Sequence, residues 1–442
     1  MQRAKEPSDP SASWTYSETV ARGMYERSRR GLFGKHDNVR SYWEDELTRN
    51  ALRPFLRGRM AACAAARRGL RVLDLGCGAG QGYELLTQIR DQDSSLEELP
   101  RHVVDSTDLE VYLGIDLSPA MVAQGRVNYR GASHVRFAEA DLREDLGPAT
   151  AERPFDVYFS SYGSLSHLSA RHLEDRLVQV VQHAEPGAVV LLDLLGRFSL
   201  EWPAYWHASS EPEKTRPYSM SYLFGEDERA TGKVETFPLR FWSGREVREL
   251  CLRVSERARK PLQVAEMFDR SIFVGRHIDT GEYGSRLPPL RRLVNALYEQ
   301  NVHTPLAQLE IGYQPSGDVG FLNESFSRFS RCWDTVVIFA RQRLAGMRID
   351  LVELDGWRDF PGALQMALLT LDRVIDSVAW IDVGDVRANI IEPQLAYVLL
   401  RMIHRLQGGE GCGHGLVAML TVDGPATANG CVGPRPRSVP PS

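Results

Sequence analysis

Five short apolar runs constrain this chain more than anything else in it: RVLDL (71–75), VYLGID (111–116), VRFAEA (135–140), FDVYFSS (155–161) and AVVLLDLL (188–195). They are continuous rather than alternating, as in strands buried on both faces, and helical stretches separate them. Repetition of run and helix predicts an α/β, doubly wound, mostly parallel sheet. The chain has 442 residues, too many for one compact core, so further parts are expected around that sheet. We divide it into a tail and N-terminal helical cap (1–60), a core (61–200), lid insertions with the last core strands (201–341) and a C-terminal helical extension (342–442). The helical pattern of residues 16–66 should break at 31–34 and at Pro54. Residues 1–13 and the Gly- and Pro-rich stretch from 424 read as disordered. Strand candidates in the third part are PYSMSYLF (217–224), FPLRFW (237–242), RSIFVG (270–275) and DTVVIFAR (334–341), with a helix near 289–299. Beyond these, VAWIDV (378–383) reads as a strand among helices.

Composition narrows the class. With 43% hydrophobic and 25% charged residues and a mean hydropathy of −0.30, the chain is expected to be globular. The longest apolar stretch, 188–195, is too short to span a bilayer, and Asp193 interrupts it. The N-terminus lacks the apolar core of a signal peptide. A net charge of −5 gives no field suited to nucleic acid or a membrane surface. The bias of 48 Arg against 5 Lys reads as GC-rich coding. Six scattered cysteines, with no C-x-x-C pair, argue for a reducing cytoplasm and against a zinc site.

The chemistry begins at VLDLGCGAG (72–80), an apolar strand running into Gly76, Gly78 and Gly80. Such glycines permit a tight turn and close approach of a ligand, and a helix expected over 81–89 presents its N-terminal amides. The spacing G-x-G-x-G departs from the dinucleotide fingerprint G-x-G-x-x-G and argues against a nicotinamide cofactor. Asp74 ends the strand. It either touches the ligand or orients the loop, and both readings stay open. In VYLGIDLSPAMV (111–122), Asp116 is placed to accept from both hydroxyls of a ribose, and Ser118-Pro119 opens a helix. Asp141 follows the third run, where a carboxylate can accept from an adenine amine. The fourth run leads into the Ser- and Tyr-rich loop of FDVYFSSYGSLSHL (155–168). All four elements end at the carboxyl edge of the sheet, where ligands bind in open α/β folds.

In this order, Asp74, Gly76, Gly78, Gly80, Asp116, Asp141 and the strand of Asp156 resemble the motifs of class I S-adenosylmethionine-dependent methyltransferases, over roughly residues 65–200. The resemblance implies a seven-stranded Rossmann-like sheet whose final strands fall near 264–274 and 335–341. It implies the cofactor S-adenosyl-L-methionine, with its methionine part over Gly76–Gly80, its ribose on Asp116 and its adenine beside Asp141. Leu117, Leu142 and Ser160 flank these positions and complete the expected cofactor set. Two departures stand out. Gly80 and Asp116 are separated by a polar insertion over 91–108, and the fourth element lacks the Asn/Asp-Pro-Pro-Tyr run of enzymes that methylate nucleic-acid or glutamine amides.

The loop SYGSLSHL resembles the Asn-Ser-Phe-Ala-His-Leu stretch of glycine N-methyltransferase-like enzymes and makes His167 the candidate catalytic base, unless it merely packs. Residues 31–46 carry Lys35, Arg40, Tyr42 and Trp43, which either close the cleft or pack into the core. Trp202, Tyr205 and Trp206 read as a pocket wall or as core. Arg240 and Arg276 are weaker candidates for a substrate carboxylate. Cys412 and His414 in GGEGCGHG read as a glycine-rich loop rather than a metal site. We therefore expect a cytoplasmic methyltransferase acting on N or O of a small molecule such as a specialised metabolite or amino-acid-like acceptor. No metal, nucleic acid or membrane is expected to take part, and apolar helices near 362–378 and 394–406 suggest a homodimer. The rival readings are an RNA or DNA methyltransferase and a silent cofactor-binding subunit.

Overall fold

The computed structural model describes residues 14–26, 35–91, 101–207, 215–231, 234–285, 287–315, 319–378, 381 and 384–422. The tails expected at 1–13 and from 424, the break at 31–34 and most of the strand expected at 378–383 lie outside the described residues.

Among the described residues nine strands follow in order: β1 (Leu70–Leu75), β2 (Leu109–Asp116), β3 (Val135–Glu139), β4 (Val157–Ser160), β5 (Val189–Leu195), β6 (Arg216–Ser219), β7 (Thr236–Leu239), β8 (Leu262–Arg270) and β9 (Gly415–Val422). The helices are α1 (Trp14–Ala21), α2 (Asp45–Ala65), α3 (Gln81–Thr87), α4 (Pro119–Asn128), α5 (Ala170–His183) and α6 (Glu226–Ala230). Then come α7 (Gly244–Ala258), α8 (Leu290–Ala296), α9 (Gly320–Leu344), α10 (Gly362–Val378) and α11 (Glu392–Leu406).

Seven strands form one sheet in the order β3-β2-β1-β4-β5-β9-β8. From β3 to β5 neighbours run parallel, and β9 is antiparallel to both β5 and β8. The fold is α/β and Rossmann-like, with the sheet wound on both sides. Every residue of β1, β5 and β9 is buried, which is why their sequences are apolar without alternation. Successive side chains still part to opposite faces. Val72 and Val157 join the core beneath α2 and the C-terminal helices, whereas Leu73, Leu75 and Tyr158 join the one beneath α5 and α7.

Three expectations are corrected. Residues 335–341 lie inside α9, not in a strand: Trp333, Val336, Val337 and Ala340 recur at helical spacing on its buried face. The antiparallel strand expected there is β9, contributed by the chain's last described segment. The C-terminal part is thus built into the sheet, and the boundary drawn at 342 cuts across one core. Residues 271–275 continue beyond the end of β8 as loop. Finally, Pro54 does not end α2, which runs on from Asp45 to Ala65 with the proline on its exposed side. Of the strands expected at 217–224 and 237–242, residues 217–219 and 237–239 pair in the antiparallel hairpin β6–β7, while Ser221–Leu223 form a 3-10 turn.

The apolar stripes of α10 and α11, which suggested a dimer, are largely consumed within the chain. Leu364, Leu368 and Leu371 share one core with Leu395, Leu399 and Ile403. Close approach of the segment before β9 depends on glycine: a Cβ on Gly413 would stand 2.3 Å from the Arg270 carbonyl oxygen.

Placing β9 between β5 and β8 has a consequence for stability. Ala418→Asp would bury an unpaired carboxylate in the sheet, and we expect a loss of roughly 3–5 kcal/mol, read by chemical denaturation. A loss under about 1 kcal/mol would mean that the strand does not occupy this position.

Candidate active site

The carboxyl ends of β1, β2, β4 and β5 open into one cavity of about 230 Å³. Its floor is the loop after β1. Gly76, Gly78 and Gly80 have φ of 70°, 54° and 89°, a left-handed region that favours glycine. A Cβ on Gly78 would meet only the Gln81 side chain, at 3.5 Å, so the face of this loop is open to a ligand. Asp116, at the end of β2, accepts from the Gly78 amide (2.8 Å) and from the Ser118 amide (2.9 Å). Burial pushes its pKa up, and these amides offset part of the rise. Ser118 caps α4, its hydroxyl accepting from the Met121 amide at 3.4 Å, and Pro119 follows at the first helical position.

Gly76, Gly78, Asp116, Leu117, Asp141 and Leu142 all line the cavity, as does His167. Three expected ligands do not. Asp74 is buried beneath α3, bonded by the Tyr112 hydroxyl, and a Cβ on Gly82 would collide with it at 2.3 Å. Burial raises its pKa to about 7. Asp74 is therefore packed between Tyr112 and α3, away from the cavity. Gly80 turns towards the core, where Tyr129 and Phe137 occupy the space a Cβ would need. Ser160 is fully buried within β4, and the next residue, Ser161, is the one that reaches the cavity. Asp141 is held by the Arg143 guanidinium, with Nε–Oδ1 at 2.9 Å, which keeps its carboxyl below the usual range.

His167 ends a short turn after β4. Its Nε2 lies 3.1 Å from the hydroxyl of Tyr16 on α1, and its ring meets Phe237 of β7 edge-on. Burial lowers its pKa to about 4. The sequence offered no signal for Tyr16, since only the tertiary structure lays α1 across this loop.

The remaining walls come from distant segments. Tyr218, Met220 and Tyr222, with Phe237 and Leu239 of β7, form an apolar side. Trp202, by contrast, is fully buried behind it, and Trp206 stacks on Phe326; neither they nor Tyr205 line the cavity. Lys35 and Arg40 do line it. Lys35 sits 3.2 Å over the ring of Tyr25, and burial drives its pKa well down. Of the flanking aromatics, Trp43 packs against Trp333 in the core and Tyr42 is exposed beside Tyr298. Arg276 reaches the cavity and pairs with Glu44 at 3.0 Å, while Arg240 is spent on Glu246 at 2.7 Å.

Tyr162, unremarked in the sequence, is a key wall residue. Its φ of 58° is strained for a tyrosine and is over-determined by its contacts. Its amide donates to Asp193 (2.6 Å), its hydroxyl to Asp45 (2.5 Å), and the guanidinium of Arg40 lies 3.8 Å above its ring. Among the described residues no group of three or more His, Cys, Asp or Glu is gathered to hold a metal ion. No described helix is long and apolar enough to cross a membrane.

Residues 98–187 match the family model described as a methyltransferase domain, a span that includes Asp116, Asp141 and His167. No curated protein matches the chain. Among solved structures it is similar to an S-adenosylmethionine-dependent methyltransferase from Clostridium acetobutylicum (14% identity over 49% of this chain and 82% of that one, TM-score 0.31). It is also similar to CalS10, an amino pentose methyltransferase from Micromonospora echinaspora (17%, 56% and 90%, TM-score 0.31), and to the CcbJ methyltransferase from Streptomyces caelestis (19%, 48% and 80%, TM-score 0.30). Residues 98–187 are thus a methyltransferase domain, an enzyme domain carried on this sheet beside the glycine loop. Its cofactor is S-adenosylmethionine.

The low pKa of His167 has a measurable consequence. Native His167 stays neutral down to about pH 4, while the unfolded chain takes up a proton near 6.5. Its contribution to stability is therefore full above pH 6.5 and is lost as pH falls towards 4. We expect His167→Gln to lose less stability between pH 7 and 4.5 than the wild type, measured by denaturation. Equal losses would place the imidazole in a solvated setting instead.

Proposed function

We propose that this enzyme transfers the sulfonium methyl of S-adenosylmethionine to a nitrogen or oxygen of a small molecule. The observation that carries the reading is a single cavity joining the glycine loop and Asp116 to the apolar wall of the β6–β7 hairpin. Cofactor and acceptor thus share one enclosed space, sized for a compact acceptor rather than a polymer.

In this reading the methionine part lies over Gly76 and Gly78, the ribose hydroxyls donate to Asp116, and Leu117, Asp141 and Leu142 surround the adenine. The bound cofactor supplies an activated methyl group. The chain's own contribution is to exclude water and to hold the acceptor in line with the carbon–sulfur bond, which alone provides much of an acceleration. Tyr16 and His167 form one polar pair beside the acceptor side, and the low pKa of the imidazole suits it to positioning by hydrogen bonding. The near-neutral charge supports a small acceptor over nucleic acid. Intact Gly76, Gly78 and Asp116 favour a working enzyme over a silent subunit.

Asp116→Ala should weaken binding of S-adenosylhomocysteine at least tenfold by calorimetry, from loss of charge-assisted hydrogen bonds worth roughly 1.5–3 kcal/mol. Gly78→Val should abolish binding while circular dichroism stays native, because a branched side chain at this φ is strained and enters the cavity. Unchanged affinity in either variant would remove that residue from the site.

A further inference from the structure

The cavity holds a second histidine, on the side away from Asp116. His414 belongs to the segment immediately before β9 and lines the same space. Its backbone is clamped between two strand ends: the Gly196 amide donates to its carbonyl at 3.0 Å, and its own amide donates to the Ser271 carbonyl at 3.3 Å. The ring is packed by Trp202, with centroids 5.5 Å apart, and by His277 at 6.2 Å. This imidazole is held in place from several sides.

Its Nδ1 lies 2.7 Å from Oε2 of Glu201, a fully buried carboxylate. Glu201 is itself fixed. The His277 amide donates to Oε1, and the Ser199 hydroxyl lies 3.3 Å from Oε2. A Cβ on Gly275 would stand 2.2 Å from the Glu201 carboxyl carbon, so the backbone there has made room for the carboxylate. Burial alone would raise the pKa of Glu201, but His414 and the His277 amide hold it below the usual range. An ionised carboxylate can only accept, so Nδ1 carries the proton of the neutral ring. Nε2 is then left with its lone pair, and no partner for it is found among the described residues. Since the ring borders the cavity, that lone pair is the basic atom available there.

We propose that His414 is the general base that takes the proton from the acceptor, with Glu201 as its positioning residue. The inference rests on the methyltransferase reading and refines it: the acceptor is one whose nucleophile is protonated at neutral pH, a hydroxyl or an ammonium. Nε2 takes the proton from the acceptor's O–H or N–H. The acceptor's electron pair forms the bond to the methyl carbon, and the carbon–sulfur bond breaks with its pair staying on sulfur. The new imidazolium is stabilised by Glu201 until its proton leaves to solvent. His167 differs on both counts, since its Nε2 already faces the Tyr16 hydroxyl and among the described residues no carboxylate is bonded to its ring. Besides Glu201, the titratable or charged groups around His414 are His277, Tyr218, Asp193 and Arg270.

The test uses the full chain saturated with S-adenosylhomocysteine and labelled with ¹⁵N-histidine. We expect the His414 signals to report a protonated Nδ1 and a bare Nε2 at pH 7.5, and Glu201→Gln to mix the two tautomers while Glu201→Asp restores the wild-type form. A neutral ring protonated on Nε2 would overturn the proposal. A second arm follows transfer of tritiated methyl from S-adenosylmethionine to a panel of phenols and primary amines. On any acceptor used, His414→Ala should lower kcat by ~10²-fold, remove the acidic limb of the pH profile, and leave affinity for S-adenosylhomocysteine within twofold. Wild-type turnover in that variant would overturn the proposal as well. Failure of the wild type to bind S-adenosylhomocysteine at all would strike the methyltransferase reading instead.

Discussion

A buried cluster of charges holds the roof of this protein over its sheet. Asp37 and Glu44, before and within the π-helical turn Arg40–Glu44, meet Arg276 and Arg291 from the far side of β8. The Arg291 guanidinium spans both acids, at 2.7 Å from Asp37 and 2.8 Å from Glu44, and the Ser271 hydroxyl donates to Glu44 at 2.9 Å. Burial alone would raise the pKa of Glu44, yet Arg276, Arg291 and Arg270 hold it well below the usual range. Charges so far from water are tolerable only as a set: leaving one unpaired costs roughly 3–5 kcal/mol. The set therefore specifies one arrangement of the N-terminal segment, and with it the positions of Lys35, Arg40 and Tyr162 around the cavity.

A second pairing extends the same logic to the strand ends. Arg270 closes β8 and pairs with Asp193 of β5 at 2.9 Å, across the intervening β9. Asp193 also receives the Tyr162 amide, so the strained turn after β4 is tied to the far half of the sheet. His414 leaves the same corner and Glu201 enters it. Fold stability and the shape of the cavity thus draw on one contiguous group of buried polar side chains, which makes the placement of β9 as important to the cavity as to the core.

The side of the cavity that borders the glycine loop was legible in the sequence because it is local. Gly76, Gly78, Asp116, Leu117, Asp141 and Leu142 each follow a strand by a few residues, and a parallel sheet delivers every such position to one edge. Asp74, Gly80 and Ser160 share that neighbourhood but face inward. The difference is one of side-chain direction, set by Tyr112, Phe137 and the packing of α3, which no spacing encodes.

The opposite side was not legible, for a physical reason. Tyr16, Tyr162, Arg270, Glu201 and His414 come from five separated segments, and each looks ordinary in its own context; GGEGCGHG reads as a flexible loop until β9 is known to follow it. The sequence by itself determined the α/β class, the glycine loop and the carboxylate that closes β2, because short-range periodicity and capping carry that information. The tertiary structure alone decided which late segment completes the sheet, since an apolar run such as DTVVIFAR suits a strand or a helix equally until its neighbours are placed. It decided, too, which histidine gains a buried carboxylate and which faces a tyrosine, because pairing across more than two hundred residues depends on where the sheet brings its ends together.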